Sequence, residues 1–410
     1  MTMNAWKAAA IALITISCLW DRFIDFRSIR GANNPTPENV KDVYDAETYQ
    51  RWRAYHRDGN TFDIVFGTIS WLISVLLIQF DVFARAAGST ANVYWAAIIV
   101  TLVDVGARLI PDTVASYINT MVIEEKYGFN RSTQKTFWLD QAKSLPISLL
   151  LSVGLLCLLI VLHRTFGDAM IVFFVGAVFI IELILAFLWP QLLKIFNKFT
   201  PLEDGELRDK LTALLEKNGY RVKDIKVMDA SRRSTKSNAF FTGFGKSKTI
   251  VLYDTLLESS TTNEICAVFA HEMGHGIHKD TLKNTVLGLI QIMIIAVLAW
   301  LLIRFPDLYR PFGFSGLNYG MALILLSYCI FPAVSQPLSV FTSWHSRRAE
   351  YRADRKAVEE GYGADLIASL KKLAKENFSN LSPDPLIVKL AYSHPPLSQR
   401  IAAIEREQKS

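Results

Sequence analysis

Residues 271–303 read HEMGHGIHKDTLKNTVLGLIQIMIIAVLAWLLI, and two kinds of chemistry meet in them. The first ten are polar and carry three histidines. From Thr285 to Ile303 the chain is apolar and long enough to cross a bilayer, since a helix rises about 1.5 Å per residue across roughly 30 Å of hydrocarbon. Six further segments qualify or nearly do: 6–20, 62–84, 93–123, 145–162, 169–188 and 319–340. This pattern predicts a mainly α-helical, polytopic membrane protein with seven spans. Pro111 is expected to kink the third, because proline removes a backbone hydrogen bond and clashes with the preceding turn.

Composition points the same way, with 51% of the 410 residues hydrophobic. Net charge is only +6 and basic residues are dispersed, which argues against nucleic acid as a partner. Cys18, Cys157, Cys266 and Cys329 have no paired ligand spacing and read as reduced packing residues. Residues 1–20 carry Lys7 before a short apolar stretch, as a signal peptide would. No small-residue cleavage site follows, so a retained first helix is expected.

Lysine and arginine orient the spans, because loops rich in them stay cytoplasmic. The connection after the first span holds Arg22, Arg27, Arg30, Lys41, Arg51, Arg53 and Arg57, and that after the third holds Lys126, Arg131, Lys135 and Lys143. With the N-terminus outside, every basic connection falls in the cytoplasm. Four regions follow: spans one to five in 1–198, a protease segment in 199–284, spans six and seven in 285–341, and a C-terminal protease segment in 342–410. Within the second, 207–218 reads as an amphipathic helix ended by Gly219, and 225–229 and 249–253 read as strands with an extended run at 238–242 between them.

His271-Glu272-Met273-Gly274-His275 places two imidazoles at i and i+4 on one helix face, spaced to bind one zinc ion, with Glu272 beside the open coordination position. Glu272 can then take a proton from water and deliver it to a leaving amine. Gly274 leaves room for close backbone packing. A catalytic zinc needs a third protein ligand. His278 stands about 10 Å along the axis from His271, so it reads better as a supporting or surface histidine. Glu350 and Asp354, four apart past the seventh span, share a face: one can bind metal while the other orients a ligand histidine, or both can belong to a charged surface helix. His394, fixed by Pro395 and Pro396, can face an oxyanion with Arg400 positioning it, or cap an exposed helix start. Asn238, Ala239 and Phe240 lie in an extended run that can accept a substrate by strand addition or form an ordinary sheet strand. At membrane depth, Asp104, Arg108, Asp112 and Glu182 either pair or line a hydrated cavity.

Together with these three segments, residues 122–130 (VIEEKYGFN), 198–202 (KFTPL), 237–241 (SNAFF) and 250–257 (IVLYDTLL) closely resemble the type 1 CAAX prenyl endopeptidase family. The resemblance covers nearly the whole chain. It implies seven helices enclosing an intramembrane chamber, capped by a gluzincin-like α+β protease domain with one zinc ion. It also implies Glu350 as the third ligand, Glu272 as the base, and His394 and Arg400 near the substrate. The implied substrates are peptides or proteins, prenylated Cys-a-a-X tails among them, from which the last three residues are removed. A compact chain without an evident dilysine signal looks more like a bacterial inner-membrane member than one of the endoplasmic reticulum. The rival readings are a membrane quality-control zinc protease and a lipid- or ion-handling protein with structural zinc.

Overall fold

The computed structural model describes residues 5–242 and 247–409. Its long helices begin where short polar side chains can satisfy free backbone N–H groups. α1 spans Ala5–Gly31. α2 (Ala46–Gln79) is capped by Asp45, which accepts from the Thr48 amide. α3 (Val93–Tyr117) is capped by Asn92. α4 (Gln134–Phe166) starts at Thr133 and ends at Gly167, whose φ of 54° lies where a side chain would be strained. A single turn there leads into α5 (Met170–Leu193).

Among the described residues, five helical runs are long and apolar enough to cross a membrane: Ala46–Gln79, Val93–Glu124, Gln134–Leu185, Asp280–Arg304 and Tyr319–Glu359. The third of these holds two expected spans, since it breaks at Gly167. The expected first span does form a helix, α1, but Lys7 and the Asp21–Arg22 pair bracket its apolar centre and keep it outside that set. Pro111 does not end α3. The irregularity falls further on, at Ile118–Glu124, where seven residues widen into a π-helix.

Asp104 and Arg108, at membrane depth, are paired. Arg108 lies 3.2 Å from Asp104 one turn earlier, donates to Ser70 and Ser74 of α2 at 2.8 and 2.6 Å, and covers the Tyr328 ring at 4.6 Å. Tyr328 in turn donates to Asp104. One arginine thus ties three helical segments together, as buried charge in hydrocarbon requires.

After α5 comes a four-stranded sheet in the order β1-β2-β4-β3. Its strands are β1 (Phe199–Pro201), β2 (Arg221–Met228), β3 (Ala239–Thr242) and β4 (Ser247–Tyr253). The three expected extended runs are present, and β1 is an addition too short to show a pattern. β2 and β4 are parallel, while β1 and β3 pair antiparallel on the two outer sides. Helix Glu206–Lys217 ends before Gly219, whose φ is 78°. The sheet buries Ile225, Ile250 and Leu252 against Phe269 and Ala270 of α6 (Thr262–Ile277). The remaining long elements are α7 (Asp280–Arg304), α8 (Phe331–Glu359), α9 (Gly363–Glu376) and α10 (Leu397–Glu407).

The connection between α1 and α2 grips the segment between α9 and α10. Arg27 pairs with Asp384 at 2.6 Å, the Tyr44 hydroxyl lies 2.8 and 2.9 Å from the carbonyls of Ala374 and Ser379, and Asn39 donates to Ser398. Phe378 occupies the left-handed region at φ 49°, with its ring against Tyr44, Tyr55 and Phe129 and its carbonyl on His56. A phenylalanine tolerates that backbone only when its surroundings over-determine it. The grip holds in place the stretch that carries His394 and Arg400.

Candidate metal centre

α6 is nucleated by a reciprocal cap: Thr261 accepts from the Glu264 amide, and Glu264 accepts from the Thr261 amide at 2.7 Å. Lys372 of α9 neutralises Glu264 at 2.6 Å. Three turns later the helix presents His271 and His275 on one face. α8 crosses it closely at Gly274, where an added Cβ would sit 2.7 Å from the Ala353 Cα and 3.0 Å from the Lys356 Cβ. That contact lays Glu350 and Asp354 against the two histidines. Gly274→Ala must therefore push the helices apart. We expect a loss of about 1–3 kcal/mol in stability, as for other overpacked cores, together with weaker metal retention. Thermal denaturation and metal content measure both, and a variant matching the parent in each would show that the crossing tolerates the methyl.

The four side chains interlock. His271 Nδ1 lies 2.9 Å from Asp354 Oδ1, and His275 Nδ1 lies 3.2 Å from Asp280 Oδ2. Each carboxylate holds the Nδ1 proton, so each Nε2 lone pair is turned towards Glu350. The distances from Glu350 are 3.6 Å to His271 Nε2 and 3.4 Å to His275 Nε2, and one ligand atom from each residue lies within 4.8 Å of the others. Glu350 Oε2 is buried with no hydrogen bond aligned on it, although Arg400 Nη1 lies 3.2 Å away. A buried carboxylate whose Oε2 faces His271 Nε2 and whose Oε1 faces His275 Nε2 fits a divalent cation. Burial opposes charge on His275, but its contacts with Glu350 and Asp280 outweigh that and push its pKa up to about 9.

Arg400 sits behind this group. Its Nε and Nη2 donate to the two oxygens of Asp354 at 2.9 and 2.6 Å, and its Nη1 faces Glu350. Burial works against the guanidinium charge, yet Asp354 and Glu350 more than compensate and hold it cationic. The expectation that Arg400 steers His394 or a substrate carboxylate differs from this placement: its donors are turned inward onto the two acids. His394 instead reaches Glu350 directly, Nδ1 to Oε1 at 3.0 Å, with 65% of its side chain exposed. Glu272 is half-buried, hydrogen-bonded to none of the described residues, and near enough to act electrostatically on His275 and Arg400.

Residues 201–408 match Peptidase family M48, and residues 25–198 match the CAAX prenyl protease N-terminal, five membrane helices. The CAAX prenyl protease 1 homolog of Oryza sativa is 32% identical over 97% of this chain and 96% of its own length. The chain belongs to the CAAX prenyl protease 1 family. The Saccharomyces cerevisiae CAAX prenyl protease 1 is 28% identical, over 98% of this chain and 95% of its own. The crystal structure of S. mikatae Ste24p superposes with a TM-score of 0.91, at 28% identity over 98% and 99% of the two chains. As a member of this family the chain is a multi-pass membrane metalloendopeptidase. The expectation of a bacterial member is not borne out by these relatives, which come from rice and yeasts.

In this CAAX protease-family chain the M48 match contains the whole centre, from α6 to α10. Two side chains after the motif have definite partners. His278 donates to or accepts from no ligand histidine: its Nδ1 lies 2.8 Å from the Gly274 carbonyl, where it closes the last turn of α6. Asp280, a polar residue at the start of a membrane-length helix, takes the place beside His275. Lys279, at φ 55°, reverses the chain between α6 and α7 and turns Asp280 back, where Arg352 and Lys283 steady it at 2.9 and 3.2 Å. The signal is the acid five residues after His275, which becomes legible only with that turn known. Asn238 is exposed just before β3, its carbonyl accepting from the Tyr253 amide. β3 carrying Ala239 and Phe240 pairs on one side with β4, occupies the sheet edge and packs against α6.

Proposed function

We propose that the chain is a zinc-dependent CAAX-type endopeptidase whose active site faces the cytoplasm. The observation that supports this reading is the convergence of His271, His275 and buried Glu350, with one ligand atom of each within 4.8 Å of the others, while Glu272 lies near enough to act electrostatically on His275. One zinc ion held by His271, His275 and Glu350 would supply Lewis acidity, polarising the scissile carbonyl and making water acidic. Glu272 takes the proton of the attacking water and passes it to the leaving nitrogen. Asp354 and Asp280 fix the tautomers of His271 and His275, and Arg400 balances the charge of Glu350 and Asp354 from behind. His394, exposed on the open side of Glu350, is placed to donate from its outer nitrogen to the developing oxyanion. The outer edge of β3, unpaired among the described residues, supports strand addition of the substrate along Asn238, Ala239 and Phe240.

Chelation is expected to abolish hydrolysis and added zinc to restore it; activity that survives exhaustive chelation would count against the metal. The substrate class is tested with purified protein against a farnesylated Cys-a-a-X peptide and an unfolded membrane protein. Cleavage of the latter alone would discard the prenyl-peptide assignment.

The same reading keeps seven spans, counting α1 and dividing Gln134–Leu185 at Gly167, around a hydrated chamber beneath the 199–284 and 342–410 protease segments. Glu182 supports it: this acid is exposed on an apolar helix, has no ion-pair partner among the described residues, and points towards Gly288 of α7. A cysteine at Glu182 should react with a membrane-impermeant thiol reagent. Full protection of that cysteine would exclude a water-filled chamber at this depth.

A further inference from the structure

A cavity of about 430 Å³ opens between the end of α1 and the start of α2, well apart in sequence from the metal centre. None of its nine lining residues is acidic, and its polar groups are mostly donors: Arg53, Arg57, Asn33 and Gln50, over a floor of Ile29 and Ala54. Arg53 is anchored by Asn33 Oδ1, an uncharged partner that leaves the Asn33 amide donors free. Among the described residues no carboxylate lies within ion-pair distance of Arg53. Arg57 has only Asp58 at 4.0 Å, and Lys126 and Tyr127 already hold that acid at 2.6 and 2.7 Å. Arg30, exposed in the last turn of α1, adds a further unpaired charge close by.

The cavity's depth is set by α2. Its apolar stretch begins at Phe62, five residues past Arg57, or about 8 Å of helix rise. On the seven-span reading above, α1 and α2 both enter the bilayer, so two guanidiniums with unused donors, Arg57 and Arg53 one turn further out, stand within side-chain reach of lipid headgroups beside the apolar Ile29 and Ala54. Arginine forks match phosphate oxygens, and basic pockets between membrane helices at this level hold anionic headgroups.

We propose that this α1–α2 cavity binds the phosphate headgroup of an anionic phospholipid through Arg53 and Arg57. Full-length protein in nonionic detergent is titrated with phosphatidylserine or phosphatidylcholine, and the retained lipid is counted by native mass spectrometry. Phosphatidylserine should be retained preferentially. Each arginine near a membrane surface is worth roughly a fivefold change in affinity, so Arg53→Gln with Arg57→Gln should weaken phosphatidylserine binding by about thirtyfold. Zinc content and peptide cleavage in detergent should stay at the parent level. Gln50→Glu, on an exposed and unpacked side chain, should give an independent loss of about fivefold by placing a carboxylate in the cavity. Equal retention of the two lipids, or parental binding by both variants, would overturn the proposal. Displacement of the lipid by an equal concentration of inorganic phosphate would also overturn it, assigning the cavity to a soluble anion.

Discussion

Glu272→Gln is expected to lower kcat by about 10²–10⁴-fold, the range a positioned general base supplies, while KM and metal content stay at parental values. The expectation rests on separation of duties along one helix. His271 and His275 are oriented by Asp354 and Asp280, and Glu350 comes from another helix, so no part of the cation's cradle depends on Glu272. Glutamine keeps the volume of the side chain and its half-buried position, and removes only its ability to hold a proton. Because Glu272 makes no hydrogen bond to the described residues, the substitution strands no donor. Hydrolysis of a quenched fluorescent peptide and elemental analysis of the same sample separate the two outcomes. A kcat within tenfold of the parent would take Glu272 out of the proton path; lost metal would mean that it supports the cradle instead.

Much of this centre could be read before any coordinates, because it depends on helical periodicity. His271 with His275 and Glu350 with Asp354 are each i, i+4 pairs, and that spacing places both members on one face whatever surrounds them. Gly274 between the ligands also reads correctly as a close-packing position. The partnership between the two helices is different. Glu350 is a metal ligand or a surface acid according to what faces it, and local sequence carries no record of a crossing between residues 79 apart. Arg400 shows the same gap more sharply: its spacing from His394 suggests a common task, yet α10 turns it onto Asp354 and Glu350. The partner of Asp280 was not legible because it depends on the positive φ of Lys279, a conformation that lysine rarely adopts. The membrane part divides likewise. Long apolar runs announce themselves, whereas α1 is shortened by its own charges and the pairing of Arg108 with Ser70, Ser74 and Tyr328 is tertiary.

The grip of the α1–α2 connection on the segment between α9 and α10 joins the candidate metal centre to the N-terminal helices. His394 and Arg400 belong to the M48 portion, but the backbone that leads to them is held by Arg27, Tyr44 and His56 of the preceding portion. The soluble-looking segments are thus not an independent domain that happens to be tethered. The stretch that carries His394 and Arg400 is held by contacts from the end of α1 to the start of α2.

The second large effect is expected at Asp354, which serves a buried guanidinium and a buried imidazole at once. Asp354→Asn keeps the shape and an oxygen for His271 Nδ1, but leaves Arg400 with Glu350 as its nearest acid. Removing one partner of a buried ion pair costs about 3–5 kcal/mol, because the surviving charge has given up its water without compensation. Arg400 should then draw on Glu350, whose oxygens the cation needs, and His271 loses the charge that strengthens it as a ligand. Metal affinity is expected to fall by about 10–100-fold, the usual effect of removing a carboxylate behind a ligand histidine. Thermal unfolding in detergent reports the first loss, and zinc retained against a graded chelator series reports the second. Asp354→Asn with Arg400→Gln separates the causes: removing the stranded cation should restore much of the stability, while the metal affinity stays low because His271 still lacks its carboxylate. If the double variant instead recovered parental zinc binding, the influence of Asp354 on the metal would run through Arg400 and Glu350, not through the tautomer of His271. A single variant that retained zinc as tightly as the parent would show that the contact between His271 and Asp354 is structural alone.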